Sequence, residues 1–215
     1  MTIALSGSSV QAQAWRVRVG YSYLRAPAWE EAQQVYYFSR PFLTGHAAYL
    51  QSGCTAAIAR IFSTERAPFH GLELDYVNAL SSYRDASFRT FAQVHLLSLG
   101  YRLHLKRISQ PGGFYGELGL GPSIGLLQRR TRSPGDEEFQ SVQKAPGMGV
   151  ELKGELAWKA ALGSGLWRPG LFFRTDLRWL YMPSAETVLM YTKGVLLRPY
   201  QWLVFFQGGV LLEWR

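Results

Sequence analysis

The feature that most constrains this chain is a two-residue alternation of apolar and polar side chains. It recurs in segment after segment, and no apolar run is long enough for a spanning helix. Trp202–Phe206 is among the longest runs, whereas a bilayer-crossing helix needs roughly 20 such residues. Period two marks a strand whose two faces meet different surroundings. Eight such segments can be read, roughly 15–25, 54–63, 69–82, 88–107, 114–130, 147–162, 167–182 and 201–214. Strand two is weakly patterned over Thr55–Phe62. Strand four changes face near Leu96–Leu97, which predicts a β-bulge there. Pro122 falls inside strand five, where a closed sheet has no free edge to accommodate it.

The connections alternate in length. Short ones rich in turn residues fall at Thr64–Pro68, Ser109–Gly113 and Gly163–Leu166. Long ones fall near 26–53, 131–146 and 183–200, and the one at 83–87 is short where a long one is expected. Turns on one side and loops on the other are the arrangement of a membrane barrel. Two long loops carry signals of their own. Pro27–Tyr37 is expected to form a short helix, with Pro27 in its first turn and Glu30 and Glu31 at its positive end. Val188–Leu197 is largely apolar and is expected to extend the last hairpin beyond the membrane.

Which face is apolar decides between a soluble and a membrane barrel. In strand one, Trp15, Val17, Val19, Tyr21 and Tyr23 oppose Arg16, Arg18, Gly20 and Ser22. In strand five, Leu118, Leu120, Ile124 and Leu126 oppose Glu117, Gly119, Gly121, Ser123 and Gly125. Strand six sets Val150, Leu152, Leu156 and Trp158 against Glu151, Lys153, Glu155 and Lys159. Strand seven sets Leu171, Phe173, Leu177 and Trp179 against Arg168, Arg174, Asp176 and Arg178. A lipocalin-like barrel with the apolar face inward would crowd its large aromatics into a narrow bore. With that face toward lipid, glycines and mixed charges fill the interior instead. An Arg or Lys at the bilayer midplane costs roughly 2–4 kcal/mol, and these apolar files contain none. Trp167 and Trp179 share a face, as do Trp202 and Trp214, each pair twelve residues apart. Twelve residues span roughly 40 Å of strand, or about 30 Å along the membrane normal at a tilt near 40°. That is close to the spacing of two interfacial aromatic girdles.

Composition agrees. Of 215 residues 18% are charged and 14% aromatic, against about 25% charged in ordinary soluble domains. Mean hydropathy is only −0.07, as expected when apolar and polar faces cancel. The net charge of +8 is spread through strand-like segments rather than gathered on one face, which argues against a nucleic-acid partner. Cys54 is the single cysteine, so no intramolecular disulfide forms. Residues 1–14 read as a residual signal peptide or a disordered arm, with Ala12-Gln13-Ala14 as the small-x-small site before Trp15. Residues 15–215 then form one barrel domain.

Gln207, Gly209, Leu212 and Trp214 match the polar-x-Gly-x-x-apolar-x-aromatic pattern that ends outer-membrane barrel proteins; here one further residue, Arg215, follows the aromatic. Gly116–Gly125, reading GELGLGPSIG, resembles a strand of the small porin-superfamily barrels, the OmpA-like, OmpX-like and PorT-like group. The pattern covers 15–215, the motifs only these two segments. The resemblance implies an all-β, closed, antiparallel, up-and-down transmembrane barrel of about eight strands in the outer membrane of a Gram-negative bacterium. It also implies recognition by the barrel-assembly machinery through the C-terminal motif.

The inward charges expected to form a lumen ion-pair network are Arg16, Arg18, Glu73, Asp75, Arg102, Glu117, Glu151, Lys153, Glu155, Arg174, Asp176 and Arg178, joined by Lys106, Lys159, Arg168 and Glu213. An isolated buried charge is costly, so these must pair. A structural plug is the expected outcome, and a narrow, anion-leaning channel the alternative. A lipid-A-modifying enzyme is a further alternative, but it needs a nucleophile with a base in reach. Of the histidines His46, His70, His95 and His104, only His104 could share an inner face with a serine, Ser98, and six residues separate them. The scattered histidines and lone cysteine give no metal-ligand pattern, and no cofactor is expected. Arg129, Arg130 and Arg132 cluster where strand five meets its loop, and lipopolysaccharide phosphates would suit their forks. The remaining expected partners are outer-membrane lipid and other outer-membrane proteins, met through the aromatic loops 29–43 and 188–200. A heat-modifiability gel checks the membrane-barrel reading. The expected outcome is a mobility shift between unboiled and boiled samples from the outer-membrane fraction.

Overall fold

The computed structural model describes residues 11–27, 52–63, 69–84, 89–105, 112–132, 140–160, 167–183 and 200–214. They form eight strands: β1 (Gln11–Arg25), β2 (Ser52–Ser63), β3 (Phe69–Arg84), β4 (Arg89–His104), β5 (Gly113–Arg132), β6 (Gln140–Lys159), β7 (Trp167–Tyr181) and β8 (Tyr200–Trp214). Each pairs antiparallel with its sequence neighbours, and β1 closes on β8. Closure leaves no edge strand, which is what a sheet surrounded by hydrocarbon requires.

The register fixes the slant of the wall. Following paired residues once around from Ala14 leads through Ile61, Gly71, Arg102, Gly119, Lys153, Asp176 and Phe205 back to β1 at Leu24. The path returns ten residues further along β1. A shear of this size in eight strands tilts them by about 40°.

The alternation predicted from sequence is realised with the apolar face outward. Leu156 is 66% exposed while its neighbour Glu155 is 3% exposed. The same holds along β1, where Arg16 and Arg18 are buried and Val19 and Tyr21 exposed. A lipocalin-like interior is therefore excluded. Aromatic clusters sit at both ends of the β7–β8 pair. Trp167 and Trp214 lie 5.4 Å apart at the turn end, and Trp179 stacks on Tyr200 at 5.2 Å at the loop end.

Several expectations need correction. Strand four has no bulge: its pairing with β3 runs without a shift from Phe69↔His104 to Arg84↔Arg89. The apparent change of face arises because Val94 and Leu96 point inward into an apolar layer while Leu97 and Leu99 point out. The register shifts lie instead at Ala12/Ala14 and at Arg129/Arg130. Strand six begins at Gln140, not 147, because β5 and β6 stay paired up to Thr131↔Gln140. A hairpin arm beyond the apolar belt needs no apolar face, so the sequence pattern there is silent. Strand one begins at Gln11, four residues before the expected start of the strand. Residues 1–10, the expected helix at Pro27–Tyr37 beyond Pro27 itself, the loop 29–43, the loop 188–200 except Tyr200, the segment Val188–Leu197, and Lys106 lie outside the described residues. Pro122 does interrupt pairing. Between Ser98↔Ser123 and Tyr101↔Leu120 the β4–β5 ladder has a gap, as expected where a ring replaces an N–H donor.

Two glycines of β6 separate close packing from mere convenience. A Cβ on Gly149 would stand 1.8 Å from the carbonyl oxygen of Trp179 on the next strand. One on Gly154, on the outward face, would meet nothing within 4 Å. Gly149→Ala is expected to destabilise the barrel by about 1–3 kcal/mol through forced separation of β6 and β7. Gly154→Ala is expected to leave it unchanged, with thermal midpoints from heat-modifiability gels as the check.

Candidate functional site

The interior is layered. At the loop end Leu24, Val77, Val94, Leu96, Leu180, Leu203 and Phe205 form one buried apolar cluster with Ala26, Ala79, Leu127, Ala145 and Met182. Toward the turn end Tyr115, Ala157, Phe172 and Leu211 form a smaller one. Between them lie the charges.

Among the described residues the buried bases are Arg16, Arg18, Arg102, Lys153, Lys159, Arg174 and Arg178. The buried acids are Glu73, Asp75, Glu117, Glu151, Glu155, Asp176 and Glu213. The two sets match seven to seven, so the described buried charges sum to zero. Arg18 spans Glu117 (2.7 Å), Glu155 (2.9 Å) and Glu73. Arg174 reaches Glu155 at 2.7 Å and both Asp75 and Glu73 at 3.1 Å. Arg178 holds Asp75 and Asp176 at 2.7 Å, with Glu151 at 3.3 Å. Lys153 lies 2.6 Å from Glu151 and 2.9 Å from Asp75. Arg102 pairs with Glu73, and Arg16 with Glu117 and, at 2.6 Å, Glu213. Lys159 adds a 3.0 Å bond to Glu213, and Arg168 stands 3.9 Å from the same carboxylate.

The β6–β7 register supplies the core of this arrangement. Glu151 faces Arg178, Lys153 faces Asp176, and Glu155 faces Arg174. The apolar layers meet the charges through ring faces: Arg16 and Lys159 lie over Tyr115, and Arg178 over Phe205. Such contacts are strong where water is excluded.

Other chemistry has less room. Asp75, Glu151 and Asp176 bring carboxylate oxygens within 4.8 Å of one another. Lys153 and Arg178 already supply positive charge to the same group. Ser98 and His104 do share the inner face, but they engage different partners. The Ser98 hydroxyl contacts Asp75 and Lys153, while His104 Nδ1 lies 2.6 Å from Glu117.

The C-terminal motif residues each have a place in the wall. Gln207 accepts from Thr55 at 3.0 Å and donates to Asp176 at 3.3 Å. Gly209 pairs with Gly20 where a side chain would strike the Val19 carbonyl. Leu212 faces out, and Trp214 packs on Trp167. Pairing sets Arg129 opposite Ala92, Arg130 opposite Phe91 and Arg132 opposite Arg89.

Sequence reasoning missed polar groups on the outer wall. Arg60 faces outward at the turn end, over the rings of Trp15 and Phe62. Higher up, Asn78 accepts from the Cys54 backbone N–H at 2.7 Å and donates to the Tyr76 hydroxyl at 3.3 Å. That hydroxyl lies 2.6 Å from His95 Nδ1. The weak patterning of strand two, and Tyr, Asn and His in an otherwise apolar file, were the available signals.

Removing one partner of a buried pair typically costs 3–5 kcal/mol. Glu73→Gln takes from Arg102 its ion-pair partner and from Arg18 and Arg174 one partner each, so a loss of about that size is expected in denaturant unfolding followed by tryptophan fluorescence. Arg168→Gln, at the partly exposed margin, is expected to cost no more than about 1 kcal/mol.

No family model matches the chain, and no curated protein is similar in sequence. Solved structures do match. Ail, the attachment invasion locus protein of Yersinia pestis, solved with the heparin analogue sucrose octasulfate, aligns over 95% of this chain and all of its own. The identity is 9% and the TM-score 0.52. Neisserial surface protein A aligns over 94% of this chain and 98% of its own, with 11% identity and a TM-score of 0.41. The N-terminal barrel domain of Pseudomonas aeruginosa OprF aligns over 95% and 100%, with 11% identity and a TM-score of 0.39. Taken with its closed eight-stranded wall and outward apolar face, the chain has the fold of the small outer-membrane β-barrels.

Proposed function

We propose that this chain is a non-enzymatic, non-conducting barrel of the Gram-negative outer membrane, an anchor or accessory subunit that works through its outer surfaces. The observation that carries this reading is the lumen. Seven buried bases and seven buried acids interlock across it, and an apolar cluster lies over them toward the loop end. An ion entering would have to displace paired charges in a medium that offers them no water, at a cost of several kcal/mol per group. A solute would also have to part Leu24, Leu96, Leu203 and Phe205. The same packing leaves Ser98 and His104 no access to a lipid substrate.

The lipid-facing exterior and the likeness to outer-membrane barrels support that location. Gln207, Gly209, Leu212 and Trp214 would then serve the barrel-assembly machinery before taking their places in the wall. Other outer-membrane proteins are the expected partners. Planar-bilayer recording is the decisive measurement. The folded protein is expected to insert without discrete conductance steps. Reproducible steps would overturn the reading in favour of a narrow channel, and Phe205→Ala should then enlarge them.

A further inference from the structure

Arg60 breaks the rule that the outer wall obeys. It is exposed on the lipid-facing side of β2, in one file with Ile58 and Phe62. A charge on that face is costly unless something of opposite sign meets it. Other polar side chains of the outer wall satisfy one another. His70 and Tyr101 share a hydrogen bond, and Tyr76 is held between His95 and Asn78. Among the described residues no hydrogen bond or ion pair engages Arg60. Its guanidinium lies instead 5.4 Å from the centre of the Trp15 ring and 5.6 Å from that of Phe62. A ring attracts a cation through its face and takes up no hydrogen bond. The five in-plane N–H donors of the guanidinium are therefore positioned by two aromatic walls and left without acceptors.

We infer that Arg60, held by Trp15 and Phe62, binds the phosphodiester of one glycerophospholipid in the leaflet at the turn end. The inference rests on the lipid-facing wall and not on whether the lumen conducts. Register sets the depth. Arg60 pairs with Trp15, Trp15 with Trp214, and Trp214 with Trp167, so the guanidinium belongs to the aromatic row at the turn end. Such rows lie at headgroup level, where phosphodiesters are the anions at hand and suit a guanidinium fork. The wall beside it is apolar. Leu72 stands opposite Arg60 and Leu74 opposite Ile58, and all three apolar side chains are exposed. A glycerophospholipid carries its phosphate and its acyl chains on one glycerol, so anion and hydrocarbon must be met side by side. Arg60 offers the first contact and Leu72, Ile58 and Leu74 the second, toward the middle of the belt.

Native mass spectrometry of the full chain from mixed micelles tests this. The probes are phosphatidylglycerol, phosphatidylethanolamine and diacylglycerol with the same acyl chains. One-to-one adducts are expected with the first two, which share the phosphodiester, and not with the third. Arg60→Gln loses the charge-assisted contacts and should weaken binding about tenfold or more. Arg60→Lys keeps the charge without the planar fork and should bind between wild type and Arg60→Gln. Trp15→Leu should also weaken binding, because the guanidinium then loses one of its walls. All three variants should keep the heat-dependent mobility shift of a closed barrel. Undiminished adducts in folded Arg60→Gln, or diacylglycerol adducts as abundant as those of phosphatidylglycerol, would overturn the assignment. Displacement of the lipid by an equal concentration of water-soluble glycerol 3-phosphate would show a site for free phosphate and overturn it too. A wild-type protein that conducts yet keeps its Arg60-dependent adduct would sink the non-conducting reading and leave this one standing.

Discussion

A charge inside a tube walled by hydrocarbon has no water to retreat to, and the architecture of this barrel follows from that. Every buried base in the described lumen has an acid within reach, and most carboxylates there serve two or three cations. The barrel can hold so many charges because the described buried ones sum to zero and because Arg16, Arg18, Lys153, Arg174 and Arg178 each reach more than one carboxylate. The wall obeys the parallel constraint on the backbone, whose polar groups must also be satisfied without water. Closure with a shear of ten residues does so along most of the described wall; the ladder is interrupted beside Pro122 and between Ser52↔Leu80 and Thr55↔Val77.

Most of the fold was legible in the sequence because lipid and lumen impose opposite demands on alternate residues. Eight strands, their order and the identity of the lumen charges all came from period two. What the sequence hid has specific causes. Where the interior becomes apolar, both faces of a strand are apolar and the period vanishes. Leu96–Leu97 and Trp202–Phe206 are such places, and the first mimicked a bulge. Runs of this kind, clustered on the loop side of several strands, were the available sign of an inner hydrophobic layer. Beyond the belt the demand for an apolar face disappears, so the paired arm 140–146 of β6 read as loop. The opposition of Arg89 and Arg132 in the backbone register was illegible for a different reason. It is a product of register between strands, and register is set by the whole circuit rather than by any one segment.

The separation of roles between inside and outside is also electrostatic. The described buried charges sum to zero and are turned inward on one another. A barrel of this size gains little from an interior charge that partners cannot see. The outward face, by contrast, carries exposed leucines and aromatics, with Arg60 over Trp15 and Phe62 at the turn end.

The alternating charges on the facing inner positions of β6 and β7 have a consequence for assembly. Glu-Lys-Glu on one strand meets Arg-Asp-Arg on the other. Slide either strand by two residues, the smallest slip that keeps lipid and lumen faces correct, and the match inverts. Glu151 would then meet Asp176 and Lys153 would meet Arg174, or, in the other direction, Lys153 would meet Arg178 and Glu155 would meet Asp176. The hydrophobic belt cannot tell these registers apart, since one leucine resembles another to lipid. The charges can, and they do so as the bits of a key do, admitting one depth of insertion and refusing its neighbours.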